Sequence, residues 1–454
     1  MCFEEKQKSK QMNCTIEQLF QQYEEKNHAI MVDFKSLVPE IVKPERYTHL
    51  IHPYPAKLLA SIPYYILRTE RFCPNGGVVL DPFCGAGTVL LEAILCGKNA
   101  LGADANPIAR LISEAKTQYV PANDLKKELD RILRKIEKNS NYTIPDFPNK
   151  DFWFSQHVQE QLSHLLHIIQ KLKDKKHKVF FMVCLSNIIK KVSYADPRIY
   201  VPVRMNPERF TDKPDLYQKL RIKLDSLRNI DVYEKFRQVS MENIQRMELL
   251  RELADSRCTS RVISKDARNL TNRIGSKELL ENESVDLVLT SPPYAGAQKY
   301  IRSSRLSLNW FGMGNPDSIR NLEKSNIGRE DLAQKDRIIS EIGIGEVDKL
   351  IAKIALKDTT RACIVSTYLN EMSVALKEAV RVLKKGGYMV LVVGPNKVSG
   401  YDFDTPKYLR LIAERYGMHT ELLLIDSIKK YGMLAMRNKT AGMIMVEHVI
   451  VMKK

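Results

Sequence analysis

The chain has 454 residues, 44% of them hydrophobic, which is enough to bury one large core and a smaller domain. Lysine and arginine outnumber the acids by 71 to 54, for a net charge of +17, so the chain suits a polyanionic partner through counterion release, although a basic surface can also serve solubility alone. Its eight cysteines form no CxxC pair, its start is charged, and no apolar run reaches about 18 residues. These features argue against a disulfide framework, a signal peptide and a membrane span, and predict a reduced, cytoplasmic protein.

The chain opens with a polar leader, residues 1–46, in which a helix is predicted over 15–26. The leader could touch nucleic acid or pack on the outside of the fold. The first part of an α/β domain is predicted over 47–116, where apolar strand-like runs begin.

A strand beginning at Val78 runs into a tight loop of small residues, Asp81-Pro82-Phe83-Cys84-Gly85-Ala86-Gly87-Thr88, and a helix is predicted over 89–96. Gly85 and Gly87 permit positive φ and close backbone approach, and the new helix offers free N–H groups to a polar ligand. Thr88 could bond the carboxylate of an amino-acid moiety or cap the helix.

A further strand over 99–103 brings Asp104 to its end, the position at which an acid binds ribose hydroxyls in doubly wound folds. This pair of features predicts a nucleotide-binding loop. A plain strand-turn-helix unit is the alternative interpretation of the glycine loop taken alone.

From 117 to 261 the pattern changes to long, charged, amphipathic helices, predicted over 124–138 with Asn123 as N-cap, over 154–172, and over 215–255 with breaks. This region is the best candidate for recognising a target. Its basic run, 171–178, sits at a predicted helix end, where lysines also favour a helix C-terminus and water. Arg198 and Arg204, in a loop punctuated by prolines, could reach guanine edges.

A buried strand over 285–289 then ends in Thr290-Ser291-Pro292-Pro293-Tyr294. The prolines fix φ and remove two donors, which leaves carbonyl oxygens and the Ser291 hydroxyl as acceptors around a shallow pocket. Such a pocket suits an exocyclic amine, with its hydrogens taken by Ser291 and the Pro292 carbonyl and with Tyr294 stacked on the base. An ordinary Pro-Pro turn is the alternative.

Downstream, a helix over 299–310 would place Arg302 and Arg305 one turn apart, either as phosphate contacts or as plain surface arginines. Residues 315–358 are predicted to be an irregular loop over the cleft and a rival recognition element. A helix over 370–383, ended by Lys384-Lys385-Gly386-Gly387, and strands over 388–393 and 443–452 complete the α/β pattern.

Together these residues resemble the DNA amino-methyltransferases, which transfer a methyl group from S-adenosyl-L-methionine to the exocyclic amine of cytosine or adenine. The cofactor motif of that family is similar to 81–88, its ribose acid to Asp104 and its catalytic motif to 291–294. Asp266 resembles the acid that contacts the cofactor adenine amine. The segment His52-Pro53-Tyr54-Pro55-Ala56-Lys57 resembles the one that packs beside the cofactor.

The resemblance implies a doubly wound, Rossmann-like α/β methyltransferase domain split by the mostly helical insertion 117–261, the candidate target-recognition domain, with the second catalytic part over 262–454. The glycine loop precedes the catalytic motif, the reverse of the order in many members. The implied catalytic residues are Ser291, Pro292, Pro293 and Tyr294. The implied cofactor-binding residues are Tyr54, Asp81, Phe83, Gly85, Gly87, Thr88, Asp104 and Asp266.

A serine at the head of the catalytic motif is typical of the branch that acts on cytosine N4. The resemblance therefore implies N4 methylation of cytosine in a short double-stranded DNA site by a monomer in a bacterial or archaeal cytoplasm, without a metal. It also implies protection from a cognate restriction endonuclease that is functionally paired with the enzyme and not bound to it.

Methylation of adenine N6 or of an RNA base amine, and a catalytically inactive nucleic-acid-binding regulator, are the alternatives. The expected transfer is direct and in line, because no Pro-Cys pair is present and Cys84 lies inside the cofactor loop.

Overall fold

The computed structural model describes residues 15–41, 46–55, 57–138, 142–251, 257–296, 300–427 and 446–454. Its centre is a sheet of eight strands, ordered β1-β9-β10-β6-β5-β2-β3-β4, and β7 and β8 form a separate hairpin. The strands are β1 (Ile30–Val32), β2 (Val78–Asp81), β3 (Asn99–Ala103), β4 (Ser260–Ser264), β5 (Val285–Thr290), β6 (Leu383–Val393), β7 (Asn396–Val398), β8 (Tyr401–Phe403), β9 (His419–Ser427) and β10 (Val446–Lys453).

Helices cover both faces of this sheet, and a 3₁₀ turn spans Tyr47–Leu50. The α-helices are α1 (Ile16–Lys26), α2 (Phe34–Leu37), α3 (Ser61–Leu67), α4 (Thr88–Leu95), α5 (Pro107–Thr117), α6 (Ala122–Lys138), α7 (Lys150–Trp153), α8 (Gln156–Gln170), α9 (Lys175–Ile189), α10 (Pro214–Arg228), α11 (Val232–Glu248), α12 (Tyr300–Ser303), α13 (Arg305–Trp310), α14 (Pro316–Ser325), α15 (Gly345–Lys357), α16 (Thr359–Val382) and α17 (Thr405–Glu414).

Within the eight-stranded sheet only β10 runs antiparallel to its neighbours. The chain leaves β2 towards β3 and β4 on one side and later returns to place β5 on the other side of β2. This reversal makes the β2–β5 boundary a topological switch point, where ligands bind outside the carboxyl ends of the strands. The predicted doubly wound α/β fold is confirmed.

The sheet separates two hydrophobic cores. Along β6, Tyr388, Val390 and Val392 belong to one core, while Met389, Leu391 and Val393 belong to the other. Successive side chains of a strand point to opposite faces, so a strand covered by helices on both sides reads as a continuous apolar run. That is why the predicted strands over 285–289 and 388–393 are found within β5 and β6.

The helical insertion forms a further layer on one side of the α/β domain. Helices α6, α8, α9 and α11 share one hydrophobic core with the face of the sheet that includes Tyr388, Val390 and Val392. In addition, α9 packs on α5, and α11 packs on the 47–50 turn. Only a small satellite core, formed by Met205, Leu220 and Leu227, lies apart with α10. The insertion therefore has a fixed position against the α/β domain.

Several predicted elements need correction. Helix α6 begins at Ala122, so Asn123 lies in its first turn and is not an N-cap. The basic run 171–178 joins two helices, and Lys175 begins α9 behind the N-cap Asp174, so its last lysines sit at a helix N-terminus. The predicted helix over 299–310 is two short helices that meet at Ser304, and Lys299 lies outside the described residues.

The later part of the chain is also more regular than predicted. Residues 315–358 contain the two helices α14 and α15, because Asn315 caps the first of them with its side chain and apolar positions recur along the second. Helix α16 runs from Thr359, and β6 follows it directly, so Lys384 to Gly387 belong to the strand.

Two further differences involve the ends of the chain. Strand β1, which the sequence analysis did not predict, lies in the leader and pairs in parallel with β9 at the sheet edge. The last strand begins at Val446, and residues 443–445 of its predicted span lie outside the described residues. None of the helices in the described part of the chain is long and apolar enough to cross a membrane.

Candidate active site

The first loop residues after four neighbouring parallel strands line one pocket. This pocket lies at the carboxyl ends of β4, β3, β2 and β5, at the switch point of the sheet, and encloses about 70 Å³. It is lined by Tyr54, Pro82, Phe83, Gly85, Asp104, Ala105, Lys265, Asp266, Ala267, Ser291, Pro293, Tyr300, Ser325, Asn326 and Ile327. Residues of the predicted cofactor loop and of the predicted catalytic motif therefore share one cavity.

Asp104 is held by backbone donors at the edge of this pocket. The Gly85 N–H donates to Asp104 Oδ2 at 2.9 Å, and the Asn106 N–H donates to Oδ1 at 2.7 Å. Burial raises the pKa of the Asp104 carboxyl, and these two hydrogen bonds oppose that rise. The carboxylate is thereby fixed in orientation next to the glycine loop.

Both glycines of the loop adopt the left-handed conformation that glycine permits, with φ of 49° at Gly85 and 75° at Gly87. A Cβ on Gly87 would lie 2.9–3.0 Å from Ser113 atoms on α5, so the loop also needs glycine for close packing. Gly87 is the N-cap of α4, and Thr88, the first helical residue, makes no capping hydrogen bond. Neither Gly87 nor Thr88 lines the pocket.

Asp81 lies beneath the pocket and does not line it. Its Oδ1 accepts hydrogen bonds from Thr290 Oγ1 at 2.5 Å and from the Phe83 N–H at 3.1 Å. Burial raises the pKa of the Asp81 carboxyl to about 7, against the lowering effect of these hydrogen bonds. The contacts tie the end of β2 to the end of β5, one residue before Ser291.

Tyr54 forms a wall of the pocket and is nearly buried. Asn106 Nδ2 donates to Tyr54 Oη at 3.3 Å and to Ser304 Oγ at 2.9 Å. This network positions the ring next to Gly85, because a Cβ added at that glycine would lie 3.6 Å from Tyr54 Cε1. Ala56 of the same predicted segment lies outside the described residues.

Asp266 lines the opposite side of the pocket and is paired with Arg268. Arg268 Nε and Nη2 reach its two carboxylate oxygens at 2.9 and 2.8 Å. Arg268 also donates to Glu371 on α16 at 2.8 Å and to the Ser325 carbonyl at 2.9 Å. Glu371 in turn binds Arg329 at 2.7 Å, so one charge network holds Asp266 and the 325–329 wall together.

Arg268, Glu371 and the wall residues Ser325 to Ile327 were not among the predicted site residues. Tyr300 was included only in the helix predicted over 299–310. Arg268 follows Asp266 by two positions, a spacing that permits the observed pair, but no local pattern links it to residues 57 and 103 positions away.

The predicted catalytic motif is partly open to this pocket. Ser291 is partly exposed, and no described residue hydrogen-bonds to its Oγ, whereas Pro292 and Pro293 are buried. Tyr294 is only 7% exposed, and its hydroxyl accepts a 3.1 Å hydrogen bond from the Gly394 N–H. Pro292 and Tyr294 do not line the cavity, so the predicted stacking of a base on Tyr294 stays a prediction.

The arginines predicted as possible DNA contacts have other partners. Arg198 forms a bidentate pair with Asp196, and Arg204 donates to the Phe152 carbonyl between two aromatic rings. Arg302 pairs with Glu323 at 3.0 Å. Arg305 is exposed and forms no ion pair with any residue in the described ranges, so it alone of the four keeps a free guanidinium.

Cys84 lacks the properties of a nucleophile. It is buried, and burial together with the charges of Asp104 and Asp81 raises the pKa of its thiol well above the usual range. Among the residues that the structure describes, no group of three or more histidines, cysteines or acids could hold a metal ion.

Comparison with known proteins shows that the chain is similar to DNA methyltransferases. A family model described as DNA methylase matches residues 2–114. The type II methyltransferase M.MvaI of Kocuria varians is 26% identical over 393 residues, which cover 82% of each chain. M.MjaII of Methanocaldococcus jannaschii is 22% identical, and the match covers 64% of this chain and 67% of that relative. M.AvaI of a Nostoc species is 23% identical, and the match covers 76% of this chain and 74% of that relative.

Two solved structures align over most of the chain. A SAM-dependent methyltransferase of Methanosarcina mazei has a TM-score of 0.29 at 9% identity, covering 85% of this chain and 95% of its own. The rRNA methyltransferase aviRa of Streptomyces viridochromogenes has a TM-score of 0.28 at 10% identity, with 89% of each chain covered. Scores this low support no inference. In its motifs, its site and its sequence relatives, the chain is similar to the DNA amino-methyltransferases, and this similarity supports S-adenosyl-L-methionine as its cofactor.

Proposed function

We propose that the chain methylates the N4 amine of cytosine within a short double-stranded DNA site. The observation that carries this proposal is the shared pocket, in which Ser291 and Pro293 lie with Phe83, Gly85 and Asp104. A methyl donor held by the glycine loop would thereby face the acceptor end of the catalytic motif. The serine at position 291 favours cytosine over adenine, following the resemblance of the motif.

The pocket residues fit the proposed cofactor by their chemistry. Asp104 is an oriented acceptor suited to ribose hydroxyls, and Asp266 is an acceptor on the far side suited to an adenine amine. Phe83 and Tyr54 supply aromatic surface between them. S-adenosyl-L-methionine, when bound, supplies an electrophilic methyl group on a positively charged sulfur.

The chain's own residues would act on the amine. Ser291 Oγ has no hydrogen-bond partner among the described residues, so it can accept one amine hydrogen, and the Pro292 carbonyl can accept the other. These hydrogen bonds draw the hydrogens out of the ring plane and make the nitrogen lone pair more nucleophilic. Positioning nitrogen, methyl carbon and sulfur in line contributes more, on the order of 7 to 11 kcal/mol in favourable cases.

The biological role that we propose is modification of host DNA in a restriction-modification system. Three relatives that match over most of this chain or about two thirds of it bear the name type II methyltransferase. In this proposal the enzyme acts as a monomer in the cytoplasm, and it protects DNA from a separate endonuclease that recognises the same site. The base must leave the duplex to reach the pocket, at a cost of roughly a few kcal/mol.

The test is incubation of the purified protein with tritium-labelled S-adenosyl-L-methionine and unmodified genomic DNA, followed by nucleoside digestion and mass spectrometry. We expect N4-methylcytosine. N6-methyladenine in its place would overturn the assignment to cytosine while retaining the family. Tight cofactor binding without any DNA or RNA product would favour a catalytically inactive regulator.

A further inference from the structure

A second and larger cavity lies between the helical insertion and the α/β domain. It encloses about 340 Å³, and Tyr54 lines both this cavity and the pocket that contains Ser291. One side is formed by residues 186–202 of the insertion, and the other by 52–55 and 303–307. We call this cavity the insertion cleft. It places part of the candidate recognition domain beside the proposed methyl-transfer site.

The wall of the insertion cleft is polar on one side. Ser186 Oγ lies 3.0 Å from His52 Nε2 and 2.9 Å from Ser307 Oγ, so one hydroxyl joins both halves of the cleft. Asn187 Nδ2 donates to the Ile51 carbonyl at 2.9 Å, which fixes the orientation of the amide. Its buried Oδ1 accepts no hydrogen bond from a described residue. A buried acceptor without a partner is costly, so this wall favours a ligand or water with donors.

The rim of the insertion cleft is cationic. Lys190, Lys191 and Arg198 line it, and its lining residues include no aspartate or glutamate. Lys190 and Arg198 are used internally, since Lys190 donates to carbonyls of the 199–200 backbone and Arg198 is paired with Asp196. Lys191 is exposed and forms no ion pair within the described ranges, and Glu242 on α11 interacts with it electrostatically from outside the cleft lining. An exposed lysine at a cleft whose lining includes no acid suits a phosphate group.

The loop that covers the insertion cleft exposes apolar and aromatic side chains. Ile199, Tyr200 and Val203 are 42%, 43% and 39% exposed. Exposure of three large apolar residues within five positions is costly in water without a partner surface. Aromatic rings beside cations are the combination that binds bases by stacking and their backbone by charge.

Charge favours this part of the chain over the rival segment 315–358. The insertion, 117–261, has 28 lysines and arginines against 19 acids, whereas the rival segment has 8 against 9. Arg329 within the rival segment and Arg302 beside it are both paired with glutamates. A phosphate backbone would therefore be attracted to the insertion and not to residues 315–358.

We infer that the insertion cleft binds the DNA strand next to the target base, with a neighbouring base against Tyr200 and its phosphate at Lys191. This inference rests on the proposed function, since it takes DNA as the substrate. It assigns contact with DNA beside the extruded base to residues 186–202 of the insertion.

The test uses the full chain and two matched pairs of variants. Lys191→Ala and Tyr200→Ala alter the insertion cleft, while Lys335→Ala and Ile338→Ala remove an exposed lysine and an exposed apolar residue from the rival segment. Binding to fluorescein-labelled fragments of unmodified genomic DNA is measured by anisotropy over a series of salt concentrations. Cofactor binding is measured by calorimetry, to verify that each variant is folded.

We expect Lys191→Ala to weaken DNA binding several-fold and to reduce the slope of log K against log salt by about 0.9. Tyr200→Ala should weaken binding about tenfold, as loss of one stacked base does. Lys335→Ala and Ile338→Ala should bind DNA as the parent does, and all four variants should bind S-adenosyl-L-methionine with the affinity of the parent.

Two results would overturn the inference. In one, Lys335→Ala and Ile338→Ala weaken DNA binding, whereas Lys191→Ala and Tyr200→Ala do not. In the other, the parent methylates DNA while both cleft variants bind DNA unchanged. If the parent methylates no DNA, and Lys191→Ala and Tyr200→Ala still weaken DNA binding, the proposed function fails and the DNA contact at the insertion cleft stands.

Discussion

Asp81 Oδ1 accepts a 2.5 Å hydrogen bond from Thr290 Oγ1, although the two residues are 209 positions apart in the chain. Asp81 ends the strand that leads into the glycine loop, and Thr290 ends the strand that leads into Ser291. The same carboxyl oxygen accepts the Phe83 N–H. One buried acid therefore fixes the two halves of the site relative to each other.

Asp81→Asn should reduce the pH dependence of stability. Because burial raises the pKa of Asp81 to about 7 in the folded chain, that state keeps a proton which the unfolded chain releases near its ordinary pKa of 3.8. The contribution of Asp81 to the free energy of unfolding of the parent therefore falls as pH rises from about 4 to 7. Asparagine cannot titrate but can still accept both hydrogen bonds.

Urea unfolding at several pH values checks this. Asp426, whose pKa burial also raises to about 7, remains in the variant, so roughly half of the slope from these two groups should persist. Identical pH profiles for parent and variant would show that Asp81 is ionised in the folded chain throughout the range.

Ser291→Ala should lower turnover on the order of 10²-fold while leaving cofactor and DNA affinities nearly unchanged. No described residue hydrogen-bonds to this hydroxyl, so its loss should slow methyl transfer to the amine and leave the stability of the fold unchanged. Single-turnover methyl transfer and equilibrium binding separate the two effects. Ser291→Thr, which keeps a hydroxyl, is the matched control, and equal turnover in the alanine variant would refute the assigned role.

Asp104→Ala should weaken binding of S-adenosyl-L-methionine by about 10- to 100-fold, the range expected for loss of a charged hydrogen-bond acceptor. The change also leaves the Gly85 and Asn106 N–H groups without their acceptor. Asp104→Asn retains one oxygen for these donors and should be less impaired. Calorimetric titration measures the affinity. Unchanged affinity in both variants would remove Asp104 from the cofactor site.

Glu371→Gln should weaken cofactor binding several-fold, because Glu371 holds Arg268 and Arg329, which in turn hold Asp266 and the 325–329 wall. Glu378→Gln is a matched control. Glu378 also forms an arginine pair and accepts a backbone N–H, but its partners Arg381 and Leu270 do not line the pocket, whereas Arg268 holds the lining residue Asp266. Both variants should lose some thermal stability, and only Glu371→Gln should change the dissociation constant of the cofactor. An equal change in both would contradict the role of the network.

Gly87→Ala should destabilise the fold more than Gly76→Ala does. Both glycines have φ near 75°, so alanine at either costs about 1 to 2 kcal/mol of backbone strain. At position 76 the added Cβ meets no atom within 4 Å, whereas at position 87 it lies 2.9–3.0 Å from Ser113. The difference in unfolding free energy between Gly87→Ala and Gly76→Ala measures the cost of the contact with Ser113. Equal losses of stability in the two variants would show that Ser113 moves aside without an energetic cost.

Much of the site could be predicted because its pieces are local. A strand, a glycine loop and an acid after the next strand stand within 27 positions, from 78 to 104, and Ser291 follows its own strand directly. Parallel strands deliver their carboxyl ends to one edge, so these pieces meet once the fold class is known. Accordingly Phe83, Gly85, Asp104, Asp266 and Ser291 line one pocket.

The sequence by itself determined the α/β class, the two motifs and the two left-handed glycines, because each depends on the spacing of neighbouring residues. Only the tertiary structure decided the partners of individual side chains. Arg302 binds Glu323, 21 positions later on another helix, and Arg268 reaches Glu371 on a helix 103 positions later. Such contacts depend on how distant helices pack on the sheet, and the short-range periodicity of a sequence contains no record of that packing.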